Sequence, residues 1–182
     1  PESGLYYPVS NAQARLWSVH YLDGGKTPNN IANLYHIKGG LQIDRVFEAI
    51  QQIITRHDSL RTRFIVNKGV PYQSVIGHQD FHYPLALEDF SGLQLSDQKL
   101  QDTLKFEQNR LFNLEEGPLF SIRLLALSPT EYVFTCVLHH IIGDYWSVLQ
   151  ILEEFNQLYQ SRPLPNLKQQ YTDYTHWSNA YA

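Results

Sequence analysis

Ten residues constrain the fold of this 182-residue chain more than any others: Leu138-His139-His140-Ile141-Ile142-Gly143-Asp144-Tyr145-Trp146-Ser147. Before them runs an alternating, β-rich segment, Tyr132 to Leu138. After them Val148, Leu152, Phe155 and Tyr159 recur at helical spacing. A histidine pair and an aspartate therefore stand where a buried strand hands over to a helix, a junction that holds reactive side chains on rigid supports. Ser147 and Gln150 have the S-x-x-Q spacing of a capping box, which predicts a helix start at Ser147. The imidazoles then belong to the preceding turn.

Three readings of the pair stand open on the residues alone. They are two core histidines satisfied by backbone groups, a metal site, or a proton-transferring base with an ordinary pKa of about 6.5. A metal site lacks further ligands at recognisable spacing, and the chain has a single cysteine. A base needs a partner that fixes its tautomer and orientation.

Four segments, in order, bear on the choice. Ser10-Asn11-Ala12-Gln13-Ala14-Arg15-Leu16-Trp17 resembles the SxAQxRLW motif of condensation domains in nonribosomal peptide synthetases. Arg56-His57-Asp58-Ser59-Leu60-Arg61-Thr62-Arg63-Phe64 resembles that family's RHxxLRTxF motif. His139 to Asp144 is similar to its HHxxxDG motif, and Tyr171-Thr172-Asp173-Tyr174-Thr175-His176-Trp177 to its YxDxxxW motif. Matches from residue 10 to residue 177 cover nearly the whole chain.

The resemblance implies a fold: an α/β (α+β) sandwich, the chloramphenicol-acetyltransferase-like half of a two-lobed domain. Residues 1–182 would form the N-terminal lobe, with the C-terminal lobe that closes the active-site tunnel lying elsewhere. It also implies roles. His140 would act on an acceptor amine attacking a donor thioester, as general base or by orienting the amine and stabilising the tetrahedral intermediate. His139 would be structural. Asp144 would point away from substrate and pair with Arg61, a guanidinium fork fastening the loop that aims His140. Gly143, Tyr145, Trp146 and Ser147 would shape the site, with Trp146 as packing and Ser147 as cap. No metal is implied, and no directly bound cofactor. The 4'-phosphopantetheine arms would come from upstream and downstream peptidyl carrier proteins, next to an adjacent adenylation domain. The lobe by itself would be inactive.

One position departs from the motif: Tyr145 stands where the family has glycine. Tyrosine adds a ring and removes freedom at positive φ. Two other readings follow, a non-catalytic docking platform for carrier proteins or another enzyme, and an acyltransferase making an ester through the same histidine chemistry.

Bulk properties exclude other classes. A hydrophobic content of 43% supports one core in a chain of this length. A net charge of −4 and a pI near 6.0, with no basic run, argue against nucleic-acid binding. No apolar stretch reaches membrane-spanning length, and no leader pattern precedes Ser10. Lone Cys136 reads as a packed thiol in a reducing, cytoplasmic compartment. With no methionine, position 1 included, the chain reads as a piece of a longer one.

Along the chain, Ser10 and Gln13 form a capping-box pair opening a helix, with Ala12, Leu16 and Trp17 as its core face. Leu34–Lys38 reads as a strand. Asp44 caps a helix whose apolar face is Val46, Ala49, Ile50, Ile53 and Ile54. Strands at 62–66 and 72–76 flank a turn at Asn67-Lys68-Gly69. His78 and His82 read as surface residues. A helix over 96–110 carries Asp97, Lys99, Asp102, Lys105, Glu107 and Arg110 as a solvated face. A strand through Phe120 to Ala126 precedes the one that delivers the histidines. Short hairpins between helices predict a mixed sheet flanked by helices.

Overall fold

The computed structural model describes residues 6–180, so part of the stretch before Ser10, where no leader pattern is read, lies outside the described residues. The elements run β1 (Tyr6–Pro8), α1 (Asn11–Asp23), β2 (Asn30–Lys38), α2 (Ile43–Arg56), β3 (Thr62–Asn67), β4 (Val70–Val75), β5 (Leu87–Asp89), α3 (Gln98–Gln108), β6 (Phe120–Ser128), β7 (Glu131–His139), α4 (Tyr145–Tyr159) and α5 (Tyr171–Ala180). A 3-10 turn, Asp58–Arg61, links α2 to β3.

Two sheets result. The larger has the order β2-β7-β6-β5, antiparallel except for the parallel β5–β6 pair, which makes it mixed as expected. The smaller has the order β1-β4-β3 and is antiparallel throughout. Helices cover both faces of the larger sheet. Val46, Ile50, Ile53 and Ile54 of α2 and Val148 of α4 pack on Phe120, Phe134, Cys136 and Leu138. On the other face Leu100 and Leu104 of α3 meet Leu125, Leu127 and Val133. Strand β7 is buried from Tyr132 to His139, because it lies inside the sheet with helices on both sides.

All five expected apolar residues of α2 are buried, each large one contributing about 1.5–3 kcal/mol. Its N-cap is Gln42, without a side-chain bond, and Asp44 sits inside the first turn instead. The β3–β4 turn is the two-residue Lys68-Gly69, with φ of 50° and 81°; positive φ at both positions matches the twist of the strands. His78 and His82 are exposed.

Other expectations are corrected. Strand β2 begins at Asn30, not Leu34, because its first residues pair with the end of β7: Asn30 with His139 and Ile31 with Leu138. The core face of α1 fails in part, since Ala12 is exposed and Leu16 and Trp17 are half-buried; the buried residue is Gln13. Glu107 is not on a solvated face. It is fully buried, bonded to Arg110, Arg123 and Ser121. Burial by itself would raise its carboxyl. The bonds from Arg110 and Ser121 and the two arginine charges outweigh that and hold it below the ordinary carboxylate value.

Candidate active site

Strand β7 ends by delivering His139 inward and His140 outward. The His139 amide donates to Leu119 O at 2.9 Å, and the His140 amide donates to Asn29 O at 2.8 Å. Both histidines are thus held by their backbones to segments distant in sequence. The His139 ring is buried, and its Nδ1 accepts the Ile141 N–H at 3.1 Å. With Nδ1 an acceptor, the ring proton of the neutral form sits on Nε2. Burial, then the nearby His20 and His140, push its pKa down to about 4, so the ring is neutral near pH 7. Its edge meets His20 and Phe112, with ring centroids 6.0 and 6.3 Å away.

The loop then turns into α4, whose cap differs from the expected one. Asp144 is the N-cap: its Oδ1 accepts the Ser147 N–H at 2.9 Å and the Ser147 hydroxyl at 2.8 Å. Ser147 Oγ in turn accepts the Asp144 N–H at 3.2 Å. The capping box is Asp144/Ser147, not Ser147/Gln150, and the helix starts at Tyr145. Bonds from the Ser147 amide and hydroxyl hold the Asp144 carboxyl below its ordinary value, with a smaller contribution from His140. Gly143 is needed for close approach: a Cβ there would lie 3.2 Å from Ser147 Cβ and 3.3 Å from its Oγ. A side chain would press on the cap.

The expected Asp144–Arg61 pair is not formed. Arg61 is buried, and its guanidinium donates to the carbonyls of Ile54, Thr55 and Ile76 and pairs with Asp58. The end of α2 reaches this guanidinium first, leaving it no part in the Asp144 cap. Arg61 therefore supports the corner between α2, β3 and the end of β4.

His140 is exposed and lines a cleft of about 440 Å³. Ala12, Gln13 and Leu16 of α1 form one wall, the loop at Ile141 to Asp144 with Ser147, Gln150 and Ile151 another, and His57, Ser59, Leu167 and Gln169 to Tyr171 a third. Tyr145 and Trp146 are not in this lining. They are 62% and 77% exposed, so Trp146 does not pack into the core as expected. Tyr145 opens a helix, where φ is negative, so this chain does not need glycine there for its backbone. Ser147 Oγ is occupied by Asp144 and forms no dyad with His140.

Two groups, one bonded to the cleft lining and one in it, escape sequence reasoning. Glu154, buried on α4, accepts His57 Nε2 at 2.6 Å and Arg56 Nε at 3.2 Å. Burial would raise its carboxyl, but the bond and charge of His57, with Gln150 and Arg56, leave it below the ordinary value. The signal was its place three residues after Ile151, on the inward arc of α4. The second is Gln13, whose Nε2 donates to Ile141 O at 3.2 Å. Its place in the opening motif signals only the capping box with Ser10. Among the described residues no cluster of three or more His, Cys, Asp or Glu could hold a metal, and no helix is long and apolar enough to cross a membrane.

A two-sheet α/β sandwich with a double histidine at the mouth of its buried strand defines a class, and sequence comparison names it. The condensation domain family model matches residues 5–182, and this chain belongs to that family. It is 35% identical over 181 residues to tyrocidine synthase 3 of Brevibacillus parabrevis, covering 100% of this chain and 3% of that one. Its fold is similar to that of the X-domain from teicoplanin biosynthesis, with a TM-score of 0.84, 21% identity, and coverage of 100% of this chain and 39% of that chain. The starter condensation domain of the rhizomide synthetase superposes with a TM-score of 0.79 at 21% identity, over 97% of this chain and 44% of that one. The chain therefore spans less than half of these solved structures and a small fraction of the curated synthetase.

Proposed function

We propose that residues 1–182 form the first lobe of a peptide-bond-forming condensation domain and that His140 is its catalytic residue. The acceptor amine nitrogen attacks the donor thioester carbonyl, a tetrahedral intermediate forms, the C–S bond breaks and the thiol leaves on the donor arm. His140 orients the amine, takes its proton as the C–N bond forms, stabilises the intermediate, and returns the proton to the departing sulfur as the C–S bond breaks. An α-amine of pKa about 8 is partly neutral near pH 7, so positioning contributes more than proton removal. Both acyl groups arrive on the phosphopantetheine arms of carrier proteins. The amides of Gln150 and Gln169 beside apolar Leu16, Ile151 and Leu167 suit such a slim, amide-bearing chain. What supports the reading most is the exposed His140 ring in the cleft, its backbone clamped beside a neutral histidine.

The test is single-turnover transfer on the two-lobe protein, with loaded donor and acceptor carriers and intact mass as readout. His140→Ala should slow transfer by about 100-fold or more. Tyr145→Gly should change the rate little, since Tyr145 lies outside the cleft lining. Transfer appearing only in Tyr145→Gly would mean that the tyrosine closes the site.

A second reading is favoured by one observation, the exposure of Tyr145 and Trp146 at the start of α4. Large exposed aromatics mark contact surfaces, and the X-domain with this fold is found in complex with OxyB. In this reading the domain docks a partner. Carrier binding without transfer, in the parent and in Tyr145→Gly alike, would favour it.

A further inference from the structure

The loop that carries His140 is gripped by a buried relay of side-chain amides that starts at Gln13 in the cleft wall. Gln13 and Gln73 are each 2% exposed, and Thr175 is fully buried. The hydrogen-bond polarity of the relay follows from its ends. The Ser10 N–H can only donate, and it meets Gln13 Oε1 at 2.9 Å, which fixes the Gln13 amide with its NH2 pointing the other way. That NH2 donates to Ile141 O at 3.2 Å and to Gln73 Oε1 at 2.9 Å. Gln73 is thereby fixed in turn, and its NH2 donates to Pro8 O at 2.9 Å and Thr175 Oγ1 at 3.3 Å. The Thr175 hydroxyl donates to Thr172 O at 2.8 Å. Each amide nitrogen has two acceptors, and both backbone termini agree on the direction.

The consequence falls on Ile141. Its N–H is held by His139 Nδ1 and its carbonyl by Gln13. The two peptide planes that follow His140 are thus pinned, while the amide of His140 is pinned to Asn29 O. A loop fastened at three successive backbone groups has little freedom to re-aim its side chain, and a reacting group misplaced by a fraction of an ångström loses rate steeply. The relay crosses from α1 through the central strand of the smaller sheet to α5, so elements distant in sequence bear on one imidazole.

We propose that Gln13 is a positioning residue for His140, and that Gln73 and Thr175 hold its donor in line. The catalytic consequence rests on the reading of His140 given above; the structural consequence does not. Both are measured on the two-lobe protein.

Gln13→Met keeps length and removes the two donated bonds together with the acceptor of the Ser10 N–H. Hydrogen exchange followed by mass spectrometry should then quicken about five- to tenfold in peptides covering residues 138–146, the effect of one lost hydrogen bond, and stay unchanged over residues 46–54. In single-turnover transfer the maximal rate should fall about tenfold, with half-saturation by the acceptor carrier within about twofold. Gln73→Met should act in the same direction but less, and the double variant no more than Gln13→Met by itself. Unchanged exchange over 138–146 in Gln13→Met overturns the proposal. Faster exchange with an unaltered maximal rate also overturns it, reducing Gln13 to a structural residue. Should Gln13→Met not fold, Gln73→Met and the near-isosteric Thr175→Val decide by the same exchange readout. Absence of transfer in the parent would overturn the condensation reading, while the exchange data still decide whether Gln13 holds the loop.

Discussion

Helices α1 and α2 are of similar length, yet they bury opposite kinds of side chain. Helix α2 turns five apolar residues inward, and none of Val46, Ala49, Ile50, Ile53 or Ile54 is more than 2% exposed. Helix α1 buries glutamine, while Val19, Tyr21 and Leu22 stand 58%, 70% and 85% exposed. The first is held by removal of apolar surface from water, which is non-directional and tolerant of sliding. The second is held by directed bonds, at Ser10, Ile141 and Gln73, which fix one geometry. One helix stabilises the lobe; the other aims its loop.

Substitutions should separate the two modes. The largest loss is expected at Ile54, fully buried under the sheet: Ile54→Ala should lower unfolding free energy by about 3–4 kcal/mol in urea titration. A loss below about 1 kcal/mol would mean that α2 is not the anchor.

The next effect is pH-dependent and comes from His139. Its folded pKa, about 4, lies below the unfolded value of about 6.5, so protons bind the unfolded chain preferentially. Stability is full above pH 6.5 and declines as pH falls toward 4. Between pH 7.5 and 5 the loss attributable to this ring is about 2 kcal/mol. His139→Asn, which can keep an acceptor for the Ile141 N–H but cannot titrate, should flatten the curve by that amount. Glu107 and Glu154, both held below their ordinary values, contribute only at lower pH, where their stabilisation fades as protons return. Parallel curves for parent and variant would contradict a buried neutral His139.

Ser10→Ala removes the α1 cap and the hydrogen bond between the Ser10 and Tyr171 hydroxyls at 3.0 Å. About 1 kcal/mol should be lost. Leu22→Ser should matter least, within about 0.5 kcal/mol, because that side chain is already in water. A larger destabilisation by Leu22→Ser than by Ser10→Ala would reverse the contrast between the helices.

Periodic elements were legible in the sequence. The apolar face of α2, the hairpin at Lys68-Gly69, strands β6 and β7 and the helix after the histidines all follow from patterns that recur over many residues. The three-residue strands β1 and β5 were not legible, because each exists through pairing with a partner far away, Ser74 with Tyr6 and Leu124 with Leu87. Caps were legible as a set of candidates but not as a choice. Ser147 offered one box with Gln150, and the loop geometry selected Asp144 instead. Glu107 shows the same limit in reverse: its spacing reads as solvated until β6 brings Arg123 and Ser121 against it.

At the site, the sequence by itself determined which groups exist: the double histidine, the aspartate, the arginine and the capping serines, all within segments that mark the condensation family. Tertiary structure decided whom each one holds. Arg61 went to three carbonyls and Asp58 instead of Asp144, and His139 went neutral through burial. Gln13 became the loop's anchor through Gln73, which lies 60 residues away in the chain. The reason is physical. Apolar periodicity is a local property that the chain carries in its order, whereas a hydrogen bond needs two partners within about 3 Å, and only the packed fold brings distant donors and acceptors that close.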